Sequence, residues 1–420
     1  MTRIVVVETE GLGGLIQWAY QFCNALAGEG ADVTLLTSKH YELRRLPHHF
    51  AADATLPMWA NVERESAWVT RLPWAVRLLR HRMRRWLRAI RLMMVWMQLS
   101  RRLLESRPDI VQFSLIRFPI LALFLHRLRR AGLTLTLICH EPIPRDVGPM
   151  TRGITRLLNR AVYSAFAHIF FIGEAVRAEF LRTFAVDPAH TSVIAQGDAA
   201  MFRQIDSGFG DLREHYGLPH GAPIALFFGG LRPSKGLTHL IACFAEVAKQ
   251  VPDARLLIVG HPQASVRPTQ FADLARAAGI QSAVIIDSRY VPIEEVGRVV
   301  RTANVVVLPY ESGTSSFVLQ VAHAFDRPVV VTRVGSLHEA VIDGVTGLVV
   351  PAGDSRALTQ AMVGLLTDKN LAEAMGIEGG RVATQRLGWP TIARQVLATT
   401  KTLSAREAGS QPTCRFSSLQ

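Results

Sequence analysis

The chain alternates short apolar runs, rich in β-branched residues, with longer segments of helical length, and it does so in two series. The runs are residues 2–7, 32–37, 109–113, 133–139, 168–172 and 192–195 in the first series, and 223–228, 254–260, 283–287, 304–309, 328–332 and 347–350 in the second. This alternation is typical of βαβ units on a parallel sheet, where ligands bind at the carboxyl ends of the strands. We therefore expect an α/β protein with two doubly wound domains.

A glycine- and proline-containing stretch, residues 201–223, interrupts the alternation, and we interpret it as the linker between the domains. The expected division is a first domain over 1–205, a second over 206–385 and a closing helix over 386–405. The polar, aperiodic tail 406–420 is expected to be disordered. A chain of 420 residues suits two domains, because single hydrophobic cores rarely grow to that size.

Composition excludes several classes of protein. The four cysteines, Cys23, Cys139, Cys243 and Cys414, form no CxxC pair or Cys/His cluster, which argues against a zinc site and a disulfide framework. The N-terminus lacks the basic start and apolar stretch of a signal peptide, and no uncharged apolar run approaches the ~18 residues of a transmembrane helix. We expect a cytoplasmic protein that is soluble or attached peripherally to a membrane.

Most of the positive charge lies in one segment. Residues 71–107 hold eleven arginines and one acid, a net +10 of the +13 of the chain. Within it, 73–104 predicts an amphipathic helix, with apolar positions Val76, Leu79, Met83, Trp86, Leu87, Ile90, Met94 and Met97 and basic positions Arg77, Arg80, Arg84, Arg88 and Arg91.

We expect this helix to lie on an anionic membrane, at the inner face of the plasma membrane. One alternative is that its apolar stripe packs on the first domain while the arginines face solvent. Another is a nucleic-acid surface, but no recognised binding motif accompanies the charge, so we expect no nucleic-acid partner.

Glycines follow the first strand of each series. Gly11, Gly13 and Gly14 precede a predicted helix, so backbone N–H groups could approach a phosphate there, although a tight turn is the plainer explanation. The spacing is wrong for GxGxxG, and no acid ends the second strand, which argues against NAD. In the second series Gly229 and Gly230 end a strand.

Two cations follow that second glycine pair. Arg232 and Lys235 precede a predicted helix and could hold a diphosphate, although surface cations on a turn are common. The loop lacks GKS or GKT, which excludes an ordinary P-loop.

A third loop runs from a buried strand into an apolar helix. Its Ser312, Gly313, Thr314, Ser315 and Ser316 lie where the helix N-terminus would meet an anion, although a helix cap accounts for the hydroxyls equally well. Gln320 lies one turn inside the helix.

The combination of these segments resembles glycosyltransferase family 4, retaining enzymes of the GT-B fold. Residues 227–237, 303–319 and 327–354 look like the donor domain of that family, residues 11–38 match its acceptor-side loop and first helix, and residues 386–395 resemble its closing helix. The resemblance covers nearly the whole chain. It implies two Rossmann-like domains that face a central cleft, with the closing helix crossing back to the first domain.

The resemblance also implies roles for individual residues. Arg232 and Lys235 match the basic pair that binds the donor diphosphate and stabilises the leaving group, and His140 matches a histidine near the transferred sugar. A strand-end histidine bonded to backbone is the alternative for His140. The implied donor-binding set is Gly13, Gly14, Gly230, Arg232, Lys235, Ser312, Gly313, Thr314, Ser315, Ser316 and Gln320.

The sequence departs from the family at one motif. Ser312 and Gln320 occupy the places of two glutamates that the family commonly carries eight positions apart, and Glu311 is one residue out of register. Gln320 could still hydrogen-bond a ribose hydroxyl without charge. The departure leaves open a catalytically weakened partner or scaffold protein, and the shared fold leaves open a sugar-nucleotide epimerase.

The expected function is transfer of a sugar from a nucleotide-diphosphate-sugar to a glycan or lipid-linked acceptor in cell-surface polysaccharide or glycolipid synthesis. No DxD sequence occurs, so we expect no metal, with Arg232 and Lys235 in its place. No cofactor is expected beyond the nucleotide-sugar, which is a co-substrate.

Overall fold

The computed structural model describes residues 1–58, 74–142, 149–184, 186–206, 208, 210–263 and 266–407. The predicted disordered tail therefore lies outside the described residues from 408 onward. Within these ranges the chain forms two parallel sheets, each flanked by helices, so the expected fold class is confirmed.

The first sheet has seven parallel strands in the order β3-β2-β1-β4-β5-β6-β7. Its strands β1 to β7 are Arg3–Val7, Asp32–Ser38, Ala51–Leu56, Ile110–Phe113, Thr134–Cys139, His168–Phe171 and Thr191–Val193. The helices α1 to α6 are Gly14–Gly28, Trp74–Ser106, Ala122–Arg130, Pro149–Tyr163, Glu174–Phe184 and Met201–Ile205.

The second sheet has six parallel strands in the order β10-β9-β8-β11-β12-β13. Its strands β8 to β13 are Ile224–Phe228, Arg255–Val259, Val284–Asp287, Val305–Leu308, Val329–Thr332 and Gly347–Val350. The helices α7 to α13 are Leu237–Gln250, Thr269–Ala277, Val296–Arg301, Phe317–Ala324, Ser355–Thr367, Lys369–Arg386 and Trp389–Glu407.

The order of strands reverses beside β1 and again beside β8. Strand β1 lies between β2 and β4, and β8 lies between β9 and β11. In doubly wound sheets such reversals open a crevice at the carboxyl ends of the strands. Both of the predicted glycine loops follow these two strands, so the topology places them at the crevices.

The central strands of each sheet are buried because helices cover both faces of the sheet. Every residue of β4, β5, β6, β11 and β12 is buried. This explains why these strands read as continuous apolar runs in the sequence.

The closing helix α13 packs against α1 of the first domain. Arg394 forms an ion pair with Glu29 at 2.8 Å, and the Gln395 amide donates to the Val193 carbonyl at 2.7 Å. At its start, the indole of Trp389 lies edge-on to Trp18 with centroids 5.3 Å apart. The last strand of the first sheet ends at Val193 and the first of the second begins at Ile224, and the predicted linker lies between them.

Helix α2 covers the predicted amphipathic segment and has two apolar faces. One face is buried in the core of the first domain and consists of Leu92, Val95, Trp96, Leu99 and Leu103. The other is exposed and consists of Met83, Trp86, Leu87, Ile90, Met94 and Met97, with Trp86 71% exposed. At 3.6 residues per turn these two sets lie on opposite sides of the helix.

The predicted apolar stripe is therefore the exposed face, from Met83 onward. The side chains of Val76, Leu79, Arg77 and Arg80 lie outside the described part of the chain, as does Pro73. No helix of the described ranges is long and apolar enough to cross a membrane.

Candidate active site

The glycine loop after β1 is held by two neighbouring segments. The Ser38 hydroxyl donates to the Glu10 carbonyl at 3.0 Å, and the Glu42 amide donates to the Gly11 carbonyl at 3.0 Å. Gly11 has φ +76°, and a Cβ there would lie 2.4 Å from Ser38 Oγ, so only glycine fits. Gly13, at φ +82°, immediately precedes α1.

A buried carboxylate supports the same loop from below. Glu8 accepts hydrogen bonds from the amides of Glu10 and Gly11, both at 2.9 Å. Burial raises the pKa of Glu8 to about 7, although these hydrogen bonds oppose the shift. Glu8 thus fixes the turn that presents the start of α1 to the cleft.

The loop after β8 packs against the loop after β11. The amides of Glu311 and Ser312 both donate to the Ser234 carbonyl, at 3.0 and 3.2 Å. Gly236 immediately precedes α7 with φ +69°, and a Cβ there would lie 2.0 Å from the Pro309 carbonyl oxygen. This close backbone approach fixes the position of the preceding residues, including the predicted cations.

The two predicted cations lie on this loop. Arg232 is exposed, and Lys235 is half-buried with its Nζ 3.5 Å from the centroid of the Tyr310 ring. Neither forms an ion pair with any residue that the structure describes. Gly230 lies beside the arginine, since a Cβ there would be 3.6 Å from Arg232 Nε. Two cations without a carboxylate partner leave a positive site that an anion could fill.

The serine-rich loop is held by contacts other than a conventional helix cap. Ser316 is the N-cap of α10, but its side chain makes no capping hydrogen bond. Its hydroxyl lies 2.8 Å from the Tyr310 hydroxyl instead, and the Thr314 carbonyl accepts from the Ser336 amide at 2.7 Å. Ser312, Gly313 and Ser315 are half-buried. The helix-cap explanation for the Ser316 hydroxyl is therefore wrong.

The loops of the two domains face each other. A Cβ on Gly14 would lie 4.0 Å from Cβ of Phe317, the first residue of α10, and a Cβ on Gly229 would lie 3.3 Å from Val318 Cγ2. The starts of α1 and α10 therefore meet in one cleft together with the loop that carries Arg232 and Lys235. Helix N-termini favour negative charge, so this arrangement suits a phosphate-bearing ligand.

His140 follows β5 in the first domain. Its ring lies edge-on to Trp18 with centroids 5.6 Å apart, and its Nε2 is buried without a hydrogen-bond partner among the described residues. Burial lowers the pKa of His140 to about 4, so the imidazole is neutral near pH 7. Its Nε2 is thus available to a ligand, while a backbone bond through Nδ1 stays an alternative.

Gln320 is fully buried, and neither its amide oxygen nor its amide nitrogen has a hydrogen-bond partner among the described residues. It lines a cavity of about 360 Å³ whose other walls include Asp198 and Arg203 of the interdomain connection and Thr384 of α12. An unpaired buried amide is costly to stability, which points to a ligand or water as its partner.

Comparison with known proteins adds to this geometry. Residues 222–368 match the model of glycosyl transferases group 1, and residues 13–197 match that of the glycosyl transferase 4-like domain. The second of these segments contains Gly13 and Gly14 at the start of α1, and the first contains the loop after β8 and the start of α10. The chain belongs to the group 1 glycosyltransferases.

Individual relatives agree with this membership. A D-inositol 3-phosphate glycosyltransferase of Corynebacterium kroppenstedtii is 31% identical over 53% of this chain and 50% of its own. A GDP-mannose-dependent alpha-(1-6)-phosphatidylinositol monomannoside mannosyltransferase of Mycolicibacterium smegmatis is 29% identical over 59% of this chain and 65% of its own. The chain thus spans about half the length of the curated relatives it matches first.

The fold is shared with solved glycosyltransferase structures. HepE of Anabaena, in complex with UDP and glucose, superposes with a TM-score of 0.70 at 16% identity and covers 96% of this chain and 100% of its own. At this identity the similarity establishes the two-domain GT-B architecture of this group 1 glycosyltransferase.

Several residues that build the site were missed by sequence reasoning. Glu8 and Glu42 support the first glycine loop, Tyr310 contacts Lys235, and Tyr290 and Glu339 contact the opposite domain. Only Glu8 is close in sequence to the group that it binds, since it stands three residues before Gly11, and this spacing could have suggested the contact. The others act across long sequence separations, so no spacing rule identifies them.

Proposed function

We propose that this protein is a retaining glycosyltransferase that transfers a sugar from a nucleoside diphosphate-sugar to a glycan or lipid-linked acceptor in the synthesis of a cell-surface polysaccharide or glycolipid. The observation that carries the proposal is the pair Arg232 and Lys235, both without ion-pair partners in the described chain, on a loop beside the starts of α1 and α10.

The chemistry follows from the charge of the leaving group. When the bond to the sugar breaks, negative charge grows on the phosphate oxygens of the departing nucleoside diphosphate. Lys235, held over the Tyr310 ring, and the helix-end amides are in place before the reaction, and Arg232 adds a second cation on the same loop, so together they stabilise that charge. Retention of configuration then needs only that the acceptor hydroxyl attack on the face of the leaving group.

We also assign His140 and Gln320 to the donor site, although the cavity that Gln320 lines includes no other proposed donor-binding residue of the described chain. A neutral His140 can exchange a hydrogen bond with a sugar hydroxyl, because its Nε2 is unpaired among the described residues. Gln320 would offer its amide to the ribose, with Ser312 to Ser316 and the glycines Gly13, Gly14 and Gly230 around the diphosphate. We propose that no metal or further cofactor takes part, so that turnover persists in EDTA.

The relatives support a nucleotide-sugar donor and a lipid-linked acceptor. The mycobacterial relative is described as GDP-mannose-dependent and acts on a phosphatidylinositol monomannoside, and HepE was solved with UDP and glucose. We infer the same substrate classes here.

A screen with radiolabelled UDP-, GDP- and ADP-sugars tests the proposal. Purified protein and a lipid extract should yield labelled product in EDTA, together with the free nucleoside diphosphate. Donor binding without product would favour a scaffold protein that has lost catalysis at Ser312 and Gln320. Conversion of the free nucleotide-sugar to its epimer would favour an epimerase instead.

We further propose that α2 attaches the enzyme peripherally to the anionic inner face of the plasma membrane. Its exposed apolar face, defined above from Met83 to Met97, is not needed for packing because the opposite face supplies the core contacts. Arg82, which is exposed, lies beside that face, where its guanidinium can reach lipid phosphates while Trp86 enters the acyl boundary.

Vesicle co-sedimentation tests this attachment. Binding should require anionic lipid and weaken with salt, because exposed charges are screened over ~10 Å at 0.1 M ionic strength. Trp86→Ser with Leu87→Ser should abolish it. A matched control is Ile377→Ser, an equally exposed apolar residue at 62% on α12 of the second domain, which should leave binding unchanged. Equal binding by all variants, or equal binding to neutral vesicles, would refute the attachment.

A further inference from the structure

Two carboxylates join the domains at opposite edges of the cleft. Glu42 follows β2 in the first domain and accepts a hydrogen bond from the Tyr290 hydroxyl, which follows β10 in the second, at 2.5 Å. Glu339 follows β12 and accepts from the amides of Glu174 and Ala175, at the start of α5, at 2.9 and 2.8 Å. Because β2 and β6 lie on opposite sides of β1, these two contacts bracket the glycine loop.

Only the first of these contacts reaches the glycine loop. Glu42 Oε1 accepts from the Gly13 backbone amide at 2.9 Å and from the Gln17 side-chain Nε2 at 3.0 Å, while Oε2 accepts from the Tyr290 hydroxyl. One half-buried carboxylate therefore holds the turn before α1 with one oxygen and the second domain with the other. Burial raises the pKa of Glu42, and the three donors oppose that shift.

The hydrogen bonds of Glu339 are also short, but they do not involve the glycine loop after β1. Its carboxylate caps α5, and the Ser336 hydroxyl accepts from the Val176 amide at 3.3 Å beside it. Gly173 has φ +118°, and a Cβ there would lie 2.1 Å from Ser336 Oγ, so the domains meet tightly at this edge too. This contact closes the cleft without touching Gly13.

We propose that Glu42 is a positioning residue for the transfer reaction: when the domains close, Tyr290 orients Glu42, and Glu42 fixes Gly13 in the geometry that presents the start of α1 to the donor. Closure and formation of the first-domain half of the donor site are then a single event. This inference rests on the proposed donor role of the glycine loop.

Hydrogen–deuterium exchange on the full chain tests the coupling without substrate. Tyr290→Phe removes one hydroxyl and keeps the ring, and it should speed exchange in a peptide spanning 9–18 by about tenfold, as loss of a hydrogen bond to a charged group implies. Glu339→Gln is the matched control, because it weakens the other interdomain contact. It should speed exchange at 173–178 and leave 9–18 at the wild-type rate.

Two exchange results would overturn the proposal. One is wild-type exchange at 9–18 in Tyr290→Phe, and the other is an equal rise at 9–18 in Glu339→Gln, which would mean general domain opening.

Kinetics give a second readout. Glu42→Gln keeps an oxygen that can accept from the Gly13 amide, so it should retain more kcat than Glu42→Leu when the two variants have similar melting temperatures. Equal kcat in both variants would contradict a positioning role for Glu42. A wild-type protein that binds no nucleotide-sugar would refute the donor role alone, since the exchange result does not depend on it.

Discussion

Replacing Lys235 by methionine removes one cation from the proposed diphosphate site and keeps the length of the side chain. Its Nζ lies 3.5 Å from the centroid of the Tyr310 ring and has no carboxylate partner among the described residues. The cation–π contact contributes about 0.5–1 kcal/mol to folding. The charge contributes about 2–4 kcal/mol to the transition state, as one preorganised group commonly does. The free energy of unfolding should therefore change little and kcat/KM should fall about 30- to 1000-fold.

Release of nucleoside diphosphate, measured over a range of donor concentrations, gives the kinetic values, and thermal melting gives the stability. Lys249→Met is the control, because Lys249 is an exposed lysine on α7 whose ion pair, with Glu246, lies within the same helix. It should retain wild-type kinetics. Wild-type kcat/KM in Lys235→Met, or an equal loss in both variants, would refute the assignment of Lys235 to the leaving group.

Three further predictions concern buried positions. Gln320→Leu removes a buried amide that has no partner in the described chain, so the free energy of unfolding should rise by about 1 kcal/mol. The same change should raise the donor KM, and an unchanged KM would exclude a donor role for Gln320. Because burial raises the pKa of Glu8 from 4.5 to about 7, the native state keeps a proton that the unfolded chain releases. Stability by urea titration should fall by up to about 3 kcal/mol as pH rises between those values, and Glu8→Gln should flatten the profile. Gly197→Ala should lower the melting temperature, since φ is +83° and a Cβ would lie 2.3 Å from the Trp389 ring; an unchanged value would contradict that packing.

Hydrophobic patterning predicted twelve of the thirteen strands that the described ranges contain, at or near their observed bounds, because buried parallel strands are continuous apolar runs. The missed strand is β3, Ala51–Leu56. It lies at the edge of the first sheet, and Leu56 is its one fully buried residue, so its sequence carries no apolar run or alternation.

Helix α2 shows that hydrophobic periodicity can predict an apolar face without predicting whether that face is buried. The apolar stripe from Met83 to Met97 was identified, but the pattern could not say whether it packs inward. The core is instead contacted by a second set on the opposite face, which includes Trp96 and Leu99. To predict which of two apolar faces packs inward, one must know the surface that the helix packs against, and the sequence of the helix alone does not contain it.

Some residues of the candidate site could be predicted from local sequence and others could not. Glycines and cations close together in sequence, such as Gly230, Arg232 and Lys235, could be predicted as site residues because their loop is contiguous. Glu42 and Tyr290 were not, because they meet only through the approach of two domains.

Isothermal titration with UDP-, GDP- and ADP-sugars in EDTA tests the central claim most directly. The wild-type protein should bind at least one of these donors, and a protein carrying both Arg232→Gln and Lys235→Met should bind it at least about thirtyfold more weakly, since each cation contributes to holding the diphosphate. Failure of the wild type to bind any of the three classes, or equal affinity in the double variant, would contradict the claim that this cleft holds a nucleoside diphosphate-sugar.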